Sequence, residues 1–393
     1  MNLDEKMKIV FLVCAGRAGS GFLHSLLDSH PQILMLPMEL KFHESWERLG
    51  CDRITDAREM VRVWTESTKL VKLKTGIHYG FEEGKNNFTN CDVKLFHEKF
   101  EEYLRQYGLK RAKVFHALHR AYAAGIGQDI SQVKVIIEFS ASPKWIEAAL
   151  EDFPKAGIIH VVRDFRANYA SLKQHYINTR RGLVDFEAKG ISQKIAVLSI
   201  LQSLFLIRRI NQLETRLNEH QIYHVRLEDL HHSLKETVDG VARWLGIQPS
   251  EILYESTLGG KPWLGNSAFG KSVQGVNTEV LNRWKQNLNL SEVLMINYFF
   301  KPELKQFHYE SSEDDEKIYG FPMFLRWWLP FRNEFCFRLP KGESKIKGVP
   351  NGMILLLRAT REILRYAVRL IFYPISRVYL TQLGVQNEIK RSY

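Results

Sequence analysis

The segment from Lys8 to Leu27 constrains the fold more than any other. Lys8 to Val13, KIVFLV, is an unbroken run of β-branched, aliphatic and aromatic residues, the pattern of a strand buried on both faces. Small residues follow at once (Ala15, Gly16, Ala18, Gly19, Gly21), and Phe22-Leu23 and Leu26-Leu27 then recur at helical spacing. Strand, glycine-rich loop and helix in that order open an α/β nucleotide-binding fold. VKVIIE (Val133 to Glu138), GIIHVV (Gly157 to Val162) and IYHVRL (Ile222 to Leu227) are further strand patterns. Helical patterns run over Trp145 to Phe153, Arg166 to Tyr176 and Leu234 to Leu245. The alternation predicts an α/β fold, a parallel sheet layered between helices.

The loop AGRAGSG, Ala15 to Gly21, is suited to an anion. Amides at a helix N-terminus point outward unpaired, and the helix dipole adds positive character. Glycines allow close approach, Ser20 offers a hydroxyl, and Arg17 carries a permanent planar cation. A nucleoside triphosphatase loop would instead hold Gly-Lys-Ser/Thr, which this loop lacks. The alternative is a tight strand-to-helix turn with no ligand. In VVRDFRANYASL, Val161 to Leu172, Arg163 ends a predicted strand, where open α/β sheets place ligands, and Ser171 lies two helical turns on. Arg163 either meets that ligand or pairs with Asp164 or another carboxylate on the rim.

These motifs carry a resemblance. GRAGSGFLHSLLDSHP, Gly16 to Pro31, resembles the 5′-phosphosulfate loop of sulfotransferases that use 3′-phosphoadenosine 5′-phosphosulfate (PAPS), in the branch holding protein-tyrosine and carbohydrate sulfotransferases. VVRDFRANYASL resembles the family's 3′-phosphate motif, YHVRLEDL (Tyr223 to Leu230) its Glu-Asp-Leu strand, and GVNTEVLNRWKQNL (Gly275 to Leu288) its late Asn…Trp helix. Two departures stand out: Ala18 replaces a usual serine and Gly21 a second hydroxyl residue. The resemblance implies a P-loop-like three-layer sulfotransferase domain over residues 1–310 with PAPS as sulfuryl donor and no metal. It carries donor binding onto Gly16, Arg17, Ala18, Gly19, Ser20, Gly21 and Phe22, onto Arg163 and Ser171, and onto Tyr223. It also carries a closing contact onto Lys271 or Gln274 in GNSAFGKSVQ.

Sulfuryl transfer needs in-line geometry, stabilisation of the leaving oxygen and a base for the incoming hydroxyl. The resemblance assigns the first stabilising charge to Arg17. It assigns the base to Glu39 in LMLPMELKFHESW, with a one-residue shift, against His43, His116 and His119 as rivals. Glu138, at the end of its strand, either binds the acceptor or pairs with an arginine, and pairing is the expectation. A P-loop kinase and a catalytically silent nucleotide- or membrane-binding adaptor are the competing functions.

The 393 residues are 45% hydrophobic and 25% charged, which excludes a disordered chain. The net charge of +11 calls for an anionic partner, and its concentration in the tail speaks against nucleic acid. Four scattered cysteines, Cys14, Cys51, Cys91 and Cys336, have no metal-ligand spacing and are expected as thiols. The polar start, Met1 to Met7, reads as neither signal nor anchor, so a cytoplasmic location is expected. ESSEDDE, Glu310 to Glu316, marks a boundary before a basic, aromatic and helical tail over 317–393. There Trp327-Trp328 precede a helical pattern, Met353 to Leu370, carrying Arg358, Arg361, Arg365 and Arg369. That pattern is either an interfacial helix on the anionic cytoplasmic face of a membrane or a cap packed on the main domain. The preferred acceptor is a carbohydrate, glycolipid or other envelope-linked hydroxyl.

Overall fold

The computed structural model describes residues 7–37, 39–68, 91–141, 143–180, 203, 206–218, 220–269, 274–288 and 290–309, with scattered positions between 352 and 367. Lys271, the acidic break at 310–316, the tryptophan pair, Cys336 and the four tail arginines lie outside these. The chain forms two compact units, Met1–Arg163 with Leu206–Val280, and Asp164–Phe205 with Leu281–Tyr393. The boundary expected at 310–317 therefore falls on residues that are not described.

The first unit is built on a five-stranded parallel sheet. Its strands are β1 (Lys8–Cys14), β2 (Ile33–Met35), β3 (Val135–Ala141), β4 (Gly157–Val162) and β5 (Ile222–Arg226), in the spatial order β2-β3-β1-β4-β5. Central β1 pairs with β3 on one side and β4 on the other, Val10 facing Ile137 and Gly157. Val10 to Val13 are wholly buried, which is why this strand reads as an uninterrupted apolar run. Edge strand β2 escapes the sequence pattern because only ILM pairs, Ile33 to Met35 against Val135 to Ile137.

Helix α1 (Ser20–Leu27) follows β1, and α2 (Phe42–Leu49) and α3 (Ala57–Thr68) follow β2. Two longer helices, α4 (Val93–Tyr107) and α5 (Arg111–Ile126), pack through Phe96, Phe100, Val114, Phe115 and Leu118, all buried. The Asp92 side chain caps α4 by accepting the Leu95 amide at 3.0 Å. Phe42 stacks on Trp64 at 4.9 Å and meets Phe115 edge-on at 5.2 Å, so the start of α2 is anchored in the main core. Helix α6 (Ile146–Asp152) connects β3 to β4, close to its expected span.

Helix α7 (Phe165–Arg180) begins the second unit. Helices α8 (Leu227–His232) and α9 (Leu234–Leu245) follow β5 in the first unit, and α9 matches its expected limits. Within the second unit α7 meets α10 (Leu290–Phe299): Lys173 pairs with Glu292 at 2.7 Å, and Tyr169 donates to the same carboxylate at 3.2 Å. Phe165 stacks on Phe300 at 4.4 Å. The Asp164 carboxylate takes Arg166, with a shortest contact of 2.8 Å. In the tail the described positions 353, 356, 357, 363 and 364 are helical, and their apolar side chains are exposed. No helix among the described residues is long and apolar enough to cross a membrane.

Candidate active site

All five strands are parallel, so their carboxyl ends share one edge. The connection from β1 leads left in the order above, to β2, and that from β4 leads right, to β5. Between β1 and β4 the loops diverge and leave a crevice, the usual ligand position in an open α/β sheet. The phosphate-type loop and Arg163 emerge on its two sides.

The loop turns by left-handed backbone at Gly16 (φ 84°), Arg17 (φ 54°) and Gly19 (φ 93°). Gly19 is required twice over. Its backbone angle strains any L side chain, and an added Cβ would run into the buried Leu227 side chain of α8. The turn aims the first amides of α1 outward, and Ser20 stands at its first position. The buried Cys14 thiol lies 3.1 Å from the Ser20 hydroxyl and accepts the Gly16 amide at 3.3 Å. Burial pushes that thiol's pKa up. Cys51 and Cys91 are also buried and free. Arg17 donates to the Asn266 carbonyl at 2.8 Å, and the Trp263 ring sits where a Cβ at Gly21 would meet it at 3.4 Å.

Arg163 is buried and donates to the Arg17 carbonyl at 3.3 Å and to the Val280 carbonyl at 2.7 Å. The two cation-bearing motifs, 146 residues apart, therefore meet. His231 of α8 joins them: its ring stacks on Phe22 at 4.8 Å, and its Nδ1 accepts the Asn277 amide at 3.1 Å. Burial first, and then the charges of Arg163 and His232, lower its pKa to about 4. Neither His231 nor Asn277 was singled out from sequence, although both sit within or beside motifs that were. Gln274 is exposed and directs its amide to the Ser256 carbonyl at 3.4 Å.

Tyr223 and Ser171 are further residues expected at the donor. Tyr223 packs on Trp244 at 5.5 Å. That tryptophan also takes the Lys8 ammonium 3.7 Å from its ring centre and lies where a Cβ at Gly157 would meet it. Lys8 and Gly157 begin β1 and β4, so Tyr223 belongs to the amino end of the sheet, away from the loop. Ser171 lies on α7, in the second unit.

Glu39 follows β2 at the carboxyl edge, with 35% of its side chain exposed and Lys41 at 3.3 Å. His24 of α1 bonds the Leu36 carbonyl, three residues before Glu39, at 3.0 Å, and the charge of Glu39 adds to burial in raising the pKa values of the Cys14 thiol and Glu138. The histidine rivals are in the core. His43 bonds Asp152 at 3.1 Å, His116 meets Phe153 edge-on at 5.6 Å, and His119 holds the Phe115 carbonyl at 2.8 Å. Burial drives the His119 pKa down to about 3. Glu138 departs from its expected arginine pairing: Oε1 accepts the Phe42 amide at 3.0 Å, and Oε2 has no hydrogen-bond partner among the described residues. No group of three or more His, Cys, Asp or Glu side chains among the described residues is placed to hold a metal.

The parallel sheet, the left-handed glycine turn and the bond from Arg163 to that turn define an α/β protein of the P-loop-like type. The chain belongs to the sulfotransferase family, whose model matches residues 10–251. No curated protein matches it in sequence. Among solved structures it is similar to the sulfotransferase domain of the curacin biosynthetic pathway, with 14% identity, a TM-score of 0.46, and 75% of this chain and 98% of that chain covered. It is also similar to the sulfotransferase domain of the Synechococcus PCC 7002 olefin synthase, at 15% identity and a TM-score of 0.44, with 77% and 98% covered. For sulfotransferase STF9 from Mycobacterium avium the values are 13%, 0.42, and 77% of each chain.

Burial and the nearby charge of Glu39 raise the Glu138 pKa to about 7, against the pull of the Phe42 and Lys41 amides. A raised carboxyl favours the folded state while protonated. Its contribution is complete below about pH 4.5 and is lost as pH rises through about 7, a swing of roughly 3 kcal/mol. Urea denaturation should show Glu138→Gln gaining on wild type by that amount between pH 4.5 and 8. A constant difference across that window would mean that Glu138 keeps an ordinary pKa.

Proposed function

We propose that this chain moves a sulfuryl group from PAPS to an acceptor hydroxyl. The observation that carries this reading is the bond from Arg163 to the Arg17 carbonyl at the divergence of β1 and β4. It sets two guanidinium groups around one glycine turn, as a nucleotide with separated anionic groups requires. Donor binding falls to the amides of residues 16–21, to Ser20 and Arg17 at the 5′-phosphosulfate, and to Arg163 at the 3′-phosphate, with Ser171 entering by resemblance alone. Phe22, held flat on His231, offers an apolar face to the base. Lys271 and Gln274 enter by resemblance alone, and Tyr223 is not carried into the proposal.

PAPS supplies an activated sulfuryl group on a phosphate leaving group. An S–O bond forms to the acceptor oxygen as the bond from sulfur to the phosphate oxygen breaks, the electron pair leaving with the phosphate. Arg17 and the loop amides stabilise that developing charge, so the step draws on no metal. Glu39 takes the acceptor proton, for it is the carboxylate beside the loop that solvent and an acceptor reach.

The acceptor we propose is a carbohydrate, glycolipid or other envelope-linked hydroxyl, met at the anionic cytoplasmic face of a membrane. Residues 317–393 hold fourteen lysines and arginines against four glutamates, nearly the whole net charge of +11. Met353, Leu356, Leu357, Ile363 and Leu364 are exposed at helical spacings of three, four and seven. Cationic charge beside an unburied apolar stripe suits an anionic lipid surface.

Calorimetry should show 3′-phosphoadenosine 5′-phosphate binding far more tightly than adenosine 5′-phosphate, with Arg163→Ala costing roughly 2–4 kcal/mol. Equal affinity for the two nucleotides would remove the 3′-phosphate role. Glu39→Gln keeps the shape and loses the base, so turnover should fall roughly 10²- to 10⁴-fold with nucleotide binding intact. Wild-type turnover in that variant would end the assignment.

The full chain should sediment with phosphatidylserine vesicles and not with phosphatidylcholine vesicles. Raising salt from about 0.1 to 1 M shortens the screening length from about 10 to 3 Å and should release it. Equal sedimentation with both vesicle types, or none with either, would contradict docking.

A further inference from the structure

Glu138 is the most deeply buried carboxylate at the carboxyl edge of the sheet, and burial of this kind has to be offset by something it holds. Its place in the register indicates what. Strand β3 lies between β2 and β1, and β2 stops at Met35, opposite Ile137. Glu138 is the next residue, the first on β3 without a β2 partner, while on its other side it faces Phe11 of β1. The chain leaving β2 passes through Glu39 and Lys41 and returns over this point to begin α2 at Phe42.

The Phe42 amide is one of the donors that a helix leaves without an internal partner, and it is the group that Glu138 binds. Helix α2 has no cap of its own. The residue before it, Lys41, makes no side-chain cap bond and sits in left-handed backbone at φ 50°, which disfavours any residue with a Cβ. A carboxylate reaching from a neighbouring strand satisfies the donor and complements the helix dipole. Phe42 is also the aromatic pinned against Trp64 and Phe115, so the far side of the turn is fixed. Between these restraints the backbone from Glu39 to Lys41 has little room to move.

We propose that Glu138 is a positioning residue: it caps α2 from across the sheet and so holds the Glu39–Lys41 turn beside the phosphate loop. The inference rests on the reading of Glu39 as the base, and it adds that base alignment depends on the hydrogen bond Glu138 makes. Burial raises the Glu138 pKa against the pull of this amide, and the neutral carboxyl still accepts the amide through its carbonyl oxygen. Glutamine can make the same bond; aspartate keeps the charge but is too short to reach.

Steady-state kinetics and hydrogen exchange on the full chain test this with Glu138→Gln, Glu138→Asp, Glu39→Gln and the double variant Glu39→Gln/Glu138→Asp. Glu138→Asp should lower kcat by roughly 10- to 100-fold, the loss expected of a base displaced by about an ångström, with PAPS KM unchanged. Glu138→Gln should restore most of that loss. In the Glu39→Gln background the aspartate should cost nothing further, since the group it misplaces is already disabled. Exchange over residues 39–49 should quicken in Glu138→Asp and not in Glu138→Gln, with residues 93–126 unchanged in both. Losses that multiply in the double variant, or an aspartate that works better than glutamine, would overturn the inference. Full turnover in Glu39→Gln removes the base reading alone. The holding of the turn then stands or falls on the exchange pattern, and equal exchange in the two Glu138 variants refutes it.

Discussion

One hydrogen-bonded arginine ties the first unit's functional edge together. Arg163 leaves the end of β4 buried, and its guanidinium reaches the carbonyls of Arg17 and Val280. A buried guanidinium demands acceptors, and backbone carbonyls meet that demand without cancelling the positive charge. Three segments remote in sequence are thereby fixed at one point: the loop after β1, the end of β4 and the stretch before residue 281. The register of β1 on β4, with Cys14 opposite Val161, makes this reach possible, since it brings the loop and Arg163 off adjacent strands within two residues of each other.

The same arrangement makes the charge of the crevice insensitive to pH. Arg17 and Arg163 do not titrate in any physiological range. His231, a further basic group at this edge, accepts the Asn277 amide at Nδ1 and is held to a pKa of about 4 by burial and by the charges of Arg163 and His232. Above about pH 5 it is therefore a neutral aromatic surface lying against Phe22, and the cations of the site are the fixed ones. In the proposed reaction that division suits a nucleotide whose phosphates need constant charge and whose base needs an apolar platform.

Much of this was legible in the sequence because the features concerned are local. An apolar run followed by Gly16 and Gly19 announces a strand and a left-handed turn, and VVRDF announces a strand ending in a cation. What stayed hidden depends on partners set by the tertiary fold. The Tyr223 position matches a family motif, yet the side chain it meets is Trp244, one helix further on, and nothing in YHVRLEDL shows that. Glu138 was expected to find an arginine, the commonest fate of a carboxylate. Its partner is a backbone amide, and any residue but proline at position 42 would supply the same donor, so no residue type signals it. Strand β2 is three residues long, too short for periodicity to register, and without β2 the placement of Glu39 at the sheet edge had to rest on resemblance alone.

Glu39 and Glu138 illustrate how environment divides labour between two identical side chains. Both lie at the carboxyl edge, one after β2 and the other on β3, and the charge of Glu39 raises the cost of ionising Glu138. Glu138 is enclosed, so its ionisation is opposed by burial as well as by its neighbour, and its pKa moves to about 7. Glu39 keeps a third of its side chain in contact with solvent and pairs with Lys41. A base for an external hydroxyl has to be reachable by the acceptor, which the enclosed carboxyl is not. A group that fixes backbone has to be immobile, which a solvent-facing carboxylate is not. Exchanging the two environments would give a mobile cap and an inaccessible base, so in the proposed reaction the roles follow from burial and not from residue type.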